Sequence, residues 1–343
     1  MAAASTDHSD PISEIGEQAL IRRFFTPQSP ANSEIIYGIG DDCAVLELDS
    51  DRYQLISTDQ LLEETHFLQS FSAPDEIGYK AAAVNLSDIA AMGGRPTGIF
   101  LSLGLPSSTS VSWVSSFMEG FNGLCKKYEV PLLGGDTTGS VHDIMIGITV
   151  LGDVPKSHLK LRADAKSGDV VCVTGTLGEA AAGLQLFQKV RSMADNKSAE
   201  FLVQRYKSPV PAVEEGQWLG NHSEVHAMID LSDGLATDGN HICENSQVQM
   251  HVYVERLPLS PAFKEFTSGD EVLRTKLALA GGEDYHLLCT VESGTYENLS
   301  NDFEHKFGRP LYQIGHIKEG ENRLRFFDHD KEIEPPEVVF NHF

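Results

Sequence analysis

Hydrophobic positions along the chain switch between a period of two and a period near 3.6. Residues 12–25, "ISEIGEQALIRRFF", read as a short amphipathic helix behind a small, polar stretch at 1–11. From Cys43 to Leu48 apolar residues alternate, Asp49-Ser50-Asp51-Arg52 has turn composition, and Tyr53 to Ser57 alternates again, which predicts a hairpin. With the turn centred between Ser50 and Asp51, paired positions sum to 101 and Asp42 falls opposite Asp59. Ser72 to Met92 predicts a helix, opened by a capping-box-like Ser72 and Asp75 and closed at Gly93-Gly94. Residues 110–128 predict a second amphipathic helix, and "VPLL" at 130–133 a buried strand. "VVCVTG" predicts another strand, followed by a turn through Gly175 and Gly178 and the helix "EAAAGLQLFQKV".

A composition shift at "LGDVPKSHLKLRADAKSGD" divides the chain. The expected plan is a flexible tail at 1–11, an amino-terminal domain at 12–152 and a carboxy-terminal α/β domain at 153–343. The length, 343 residues with 41% hydrophobic, suffices for two cores. Lys and Arg total 26 against 50 Asp and Glu, a net charge of −24 that repels nucleic acid and anionic membranes. A phosphorylated ligand would then need metal ions or a few local cations. Cys43, Cys125, Cys172, Cys243 and Cys289 lie far apart with no CxxC pair, so neither a disulfide framework nor a zinc knuckle is expected. With no signal-peptide pattern and no apolar run of about 18 residues, a cytoplasmic location is expected. Neither G-x-G-x-x-G nor G-x-x-x-x-G-K-[ST] occurs.

Carboxylates carry the remaining signal. Asp42 and Asp59 would repel each other across the hairpin unless a cation lies between them, although a solvated hairpin end is the bland alternative. Asp88 interrupts the stripe Ile77, Ala81, Val84, Asp88, Ala91, and burial there demands a metal or a strong donor, for which a backbone N–H could serve. Asp136 follows a Gly-Gly turn. Asp230 and Asp233 end an apolar strand in "MIDLSDGL", where N-capping by Ser232 or Asp233 is the competing reading. Oxygen-only donors select Mg²⁺, Mn²⁺ or Ca²⁺, and six such carboxylates point to several Mg²⁺ ions clamped on a polyphosphate.

The series "GIGDDCAVL", "STDQLLEETHF", "YKAAAVNLSDIAAMGGRPTG", "LLGGDTT", "IDLSDGLATD" and "GGEDY" resembles the thiamine-monophosphate kinase family of the aminoimidazole ribonucleotide synthetase superfamily, from about residue 15 to 343. The resemblance implies a two-domain α/β (α+β) fold, amino-terminal sheets pairing across a homodimer, and ATP-dependent phosphorylation of thiamine monophosphate to thiamine diphosphate. It implies a magnesium set of Asp42, Ser57, Thr58, Asp59, Asp88, Asp136, Asp230 and Asp233. It also implies nucleotide contacts at Gly135, Asp136, Arg162 and Ser232, and substrate contacts at His66 and Glu283. An aromatic near the carboxyl terminus aligns ambiguously, with Phe340 a candidate only. No catalytic acid or base is expected, because the acceptor is already an ionised phosphate. The alternatives are a sister ATP-dependent enzyme of the superfamily, a Mg-dependent phosphatase, and a cation-stabilised binding module.

Overall fold

The computed structural model describes residues 20–25, 34–189, 196–329 and 331–336. The expected tail at 1–11, most of the helix at 12–25 and Phe340 lie outside the described residues; within that helix, Ile21–Phe25 form one π-helical turn.

Two sheets organise the chain. The first contains β1 (Ile35–Tyr37), β2 (Ala44–Glu47), β3 (Arg52–Leu62), β4 (Arg95–Pro106), β5 (Leu132–Ser140) and β6 (Met145–Pro155), in the order β1-β2-β3-β6-β4-β5. Only β4 and β5 run parallel. The second contains β7 (Val170–Val173), β8 (Val225–Asp230), β9 (Gln249–Tyr253), β10 (Leu287–Val291), β11 (Tyr312–Lys318), β12 (Leu324–Asp328) and β13 (Lys331–Ile333), in the order β13-β12-β9-β11-β7-β10-β8. There only β9 and β12 are parallel, so the mixed architecture is α+β in character.

The hairpin forms where expected, with a different register. Val45 pairs with Leu55 and Glu47 with Tyr53, so paired positions sum to 100. Asp49 explains the shift: its carboxylate accepts from the N–H groups of Asp51 and Arg52, at 2.8 Å each, and closes an odd-numbered turn. One residue of slip removes the direct Asp42–Asp59 pairing.

Helix α1 (Pro74–Ala91) is favoured by its alanines and by Pro74 at the first position. Its cap is one residue later than expected: Glu76, not Asp75, reaches back to the Ala73 N–H at 2.8 Å, and Ser72 plays no part. Gly93, at φ +72°, ends it. The single apolar stripe expected for α1 is too narrow, because 13 of its 18 residues are buried, Lys80, Asn85 and Ser87 among them. The helix is enclosed between the first sheet, the second half of the chain and α2 (Val111–Lys127), whose N-cap is Ser110. Leu55, Ile89, Ile148, Met228 and Cys289 accordingly share one apolar cluster across both halves.

Gly78 and Gly120 let α1 and α2 touch backbone to backbone. A Cβ on Gly120 would lie 1.8 Å from the Asp75 carbonyl oxygen, and one on Gly78 2.0 Å from that of Phe117. Gly120→Ala is therefore expected to lower unfolding free energy by about 1–3 kcal/mol; an unchanged urea midpoint would contradict this contact.

The "VPLL" segment does not become a buried strand. β5 is an edge strand, with Leu132 42% and Leu133 49% exposed. An apolar run by itself cannot distinguish burial inside a chain from exposure at an open sheet edge. Among the described residues no helix is long and apolar enough to cross a membrane.

Candidate active site

The acidic residues converge where the two halves meet. Period-two alternation places Ser57 and Asp59 on the face of β3 that looks toward α1. From α1, the Asp88 carboxylate accepts from the Ser57 hydroxyl at 2.5 Å. Asp230, 2% exposed at the end of β8, accepts from the Ser87 hydroxyl at 2.6 Å. Asp42 enters from the loop before β2. One oxygen from each of Asp42, Asp88 and Asp230 lies within 4.8 Å of the others, a spacing that one cation can bridge.

Burial dominates the electrostatics. It raises the Asp88 carboxyl well above its ordinary range, with Asp59, Asp230 and Asp42 adding repulsion. Burial and then Asp42 push Asp230 up to about 8, and burial with the nearby Asp233 pushes Asp59 to about 6. Asp41, adjacent to Asp42 but outside the magnesium set that the resemblance implies, rises to about 7 through burial and its neighbour Asp42. Arg162 is the local counter-charge. Its guanidinium meets Asp42 at 2.5 Å and its backbone N–H donates to Asp41 at 3.0 Å, so it is anchored at the cluster.

Asp233 is exposed beside the cluster. Its capping alternative fails: α5 (Leu235–Ser246) has Gly234 at its N-cap, and the Asp238 carboxylate accepts from the Asp233 and Gly234 N–H groups at 3.2 and 2.9 Å. Asp233 therefore keeps its own carboxylate available. Ser232 contributes a backbone contact, its carbonyl accepting from Glu283 N–H at 2.7 Å.

Three expected residues are placed apart. Thr58 points to the opposite face of β3, where its hydroxyl donates to the Ile148 carbonyl at 2.8 Å. Register runs Asp59, Ile148, Leu101, Gly135 across β3-β6-β4-β5, so Gly135 lies three strands from Asp59, roughly 14 Å away. Asp136 is one residue further, on the outer face. Gly135 has its own structural reason: φ is +156°, and a Cβ there would lie 1.7 Å from the Leu101 carbonyl oxygen.

A second group of side chains packs beside α1. His66 belongs to it, with Phe67, Ser72, Glu76, Lys80 and Tyr206. The His66 Nδ1 accepts from the Leu62 N–H at 3.0 Å, which fixes the proton of the neutral ring on Nε2. Glu283 meets this group through Lys80, its carboxylate 2.7 Å from Nζ. Lys80, Ser87, Asp41 and Tyr206 were missed from sequence. Ser87 and Asp88 sit together in "NLSD", but only the packing reveals that Ser87 donates to Asp230 while Asp88 accepts from Ser57.

Comparisons with known proteins bear on the family and the fold. The AIR synthase related protein N-terminal domain family matches residues 40–154, and the corresponding C-terminal domain family matches 166–326. Thiamine-monophosphate kinase of Haemophilus influenzae is 39% identical over 322 residues, covering 93% of this chain and 95% of that one. The Escherichia coli K12 enzyme of the same name is 40% identical over 276 residues, covering 80% and 82%. Among solved structures, AaThiL complexed with AMPPCP and TMP superimposes with a TM-score of 0.84 at 32% identity, covering 98% of this chain and all of that one. The six motifs, the two matched domains and the shared architecture together place this chain in the thiamine-monophosphate kinase family of AIR synthase related proteins.

Proposed function

We propose that the protein transfers the γ-phosphoryl group of ATP directly to the phosphate of thiamine monophosphate, giving thiamine diphosphate and ADP. The observation that carries this reading is the convergence of Asp42, Asp88 and Asp230 within 4.8 Å at the junction of the two halves. It gains support from the overlay with AaThiL complexed with AMPPCP and TMP.

The donor set fits magnesium: every oxygen belongs to a carboxylate or hydroxyl, and burial leaves these acids short of counter-charge. Asp42, Asp59, Asp88, Asp230 and Asp233, with Ser57, form the proposed metal set. Gly135 and Asp136 stand roughly 14 Å from that row, so any contact with the same nucleotide is at its far end. Held by the carboxylates of that set, Mg²⁺ would supply positive charge to offset that of the phosphates.

The chain's own side chains position. Ser57 and Ser87 donate to Asp88 and Asp230 and hold their carboxylates in place. Arg162, anchored by Asp41 and Asp42, presents a guanidinium at the edge of the cluster to phosphate oxygens. His66, and Glu283 through its pairing with Lys80, flank the region proposed to take the thiamine moiety. The acceptor oxygen is ionised near neutral pH, its second pKa being about 6, so in-line transfer needs no side chain to remove a proton. The exposed β5 edge supports a homodimer formed through the first sheets.

Phosphorus NMR of the protein with ATP, Mg²⁺ and thiamine monophosphate tests the reading. Matching thiamine diphosphate and ADP resonances are expected. Inorganic phosphate with unchanged thiamine monophosphate would replace it with an ATPase or phosphatase activity.

A further inference from the structure

Two of the parts that build the carboxylate cluster are also tied to each other outside it: α1, carrying Ser87 and Asp88, and segment 230–233 with the adjoining 281–285. Those two segments are joined backbone to backbone: Glu283 N–H donates to the Ser232 carbonyl at 2.7 Å and Tyr285 N–H to the Leu231 carbonyl at 2.9 Å. Both Glu283, at φ +68°, and Tyr285, at φ +51°, are held in the left-handed region. Non-glycine residues stay there only when their surroundings over-determine the backbone. Here the constraint delivers the Glu283 carboxylate to Lys80.

Lys80 is only 4% exposed. Its Nζ lies 2.7 Å from Glu283 and 3.7 Å from the centroid of the Tyr206 ring on α4 (Lys197–Lys207), with α3 (Glu179–Lys189) packed alongside α4. An ammonium buried this far depends on its counter-ion and on the ring face. Lys80 and Ser87 are seven residues apart and share one face of α1. Ser87 bonds Asp230, so α1 grips the joined segments at two points, one ionic and one hydrogen-bonded.

We propose that Lys80 is a positioning residue, whose pairing with Glu283 beneath Tyr206 sets the distance from Asp88 to Asp230 and Asp233 and thereby the affinity of the cluster for Mg²⁺. The inference rests on the metal reading proposed above. It differs from a merely structural ion pair, which would contribute to stability while leaving magnesium dependence alone.

Full-length Lys80→Met, Lys80→Arg and Tyr206→Leu are compared with the parent by titrating Mg²⁺ alone, following the thermal midpoint. The Mg²⁺ concentration for half-maximal thiamine diphosphate formation is measured separately. Lys80→Met is expected to need at least about fivefold more Mg²⁺ in both measurements, the size of a contact coupling. Lys80→Arg should recover part of the difference. Glu283 is half-exposed enough, at 29%, to hydrate once its partner is gone, so folding should survive. A folded Lys80→Met protein with the parental Mg²⁺ dependence overturns the inference. If Lys80→Met fails to fold, an unchanged Mg²⁺ dependence in Tyr206→Leu overturns it instead. Absence of any Mg²⁺-dependent stabilisation in the parent also overturns it. Stabilisation by Mg²⁺ without thiamine diphosphate formation would defeat the kinase reading alone, and the midpoints would still decide the role of Lys80.

Discussion

Asp88→Asn should reduce turnover by a factor of about 10²–10³, a loss typical of removing one electrostatic stabiliser from a phosphoryl-transfer or related site, while making the metal-free protein more stable. The two effects share a cause. Asp88 is a buried carboxyl surrounded by Asp59, Asp230 and Asp42, and its ionisation is opposed by all of them and by its burial. Asparagine keeps the shape and the Ser57 contact, removes the repulsion and removes a metal ligand. Asp42→Asn separates the components. It should lose a similar share of turnover without the gain in stability, because Asp42 is also the 2.5 Å partner of Arg162. Steady-state rates at saturating Mg²⁺ and thermal midpoints in chelator check both variants. Near-parental turnover in both would remove these residues from the proposed metal set.

Metal-free protein is expected to lose stability as pH rises from about 4 to about 8, with Mg²⁺ restoring it most at the upper end. Burial and then neighbouring carboxylates raise Asp59, Asp41 and Asp230 in the folded state to about 6, 7 and 8, against an ordinary value of 3.8. Between each pair of values the folded chain holds a proton that the unfolded chain has released, so unfolding free energy falls as pH rises. The stabilisation by protonation is fully present below the unfolded value and gone above the folded one. Two units at Asp59 correspond to roughly 2–3 kcal/mol, enough to move the midpoint by several degrees. Mg²⁺ competes with these protons, so its apparent affinity should increase across the same interval. Thermal scans at about pH 5 and about pH 8, with and without Mg²⁺ at matched ionic strength, separate this from general screening of the −24 charge. Equal Mg²⁺ shifts at both pH values would contradict it.

The alternation of Ser57 and Asp59 could be read from the chain because strand periodicity is strictly two, and helix α1 because its alanines, proline and terminal glycine agree. The hairpin register could not be read, since it depended on whether Asp49 closed an odd or an even turn. Nor could the exposure of "VPLL", which depends on the position of β5 in its sheet. The reach of Asp136 was equally hidden, because strand order β3-β6-β4-β5 separates positions that a linear list of aspartates treats alike.

By itself, the sequence determined the chemical class: acids at element ends, a strongly negative chain with no P-loop, and six ordered motifs of one family. Those features are local, set by residue type and spacing of a few positions. Only the tertiary structure decided which acids meet, that Arg162 answers Asp42, and that a buried Lys80 joins α1 to Glu283. Contacts between residues 120 and more than 200 positions apart depend on how two sheets enclose one helix, and periodicity along the chain carries no information about that packing.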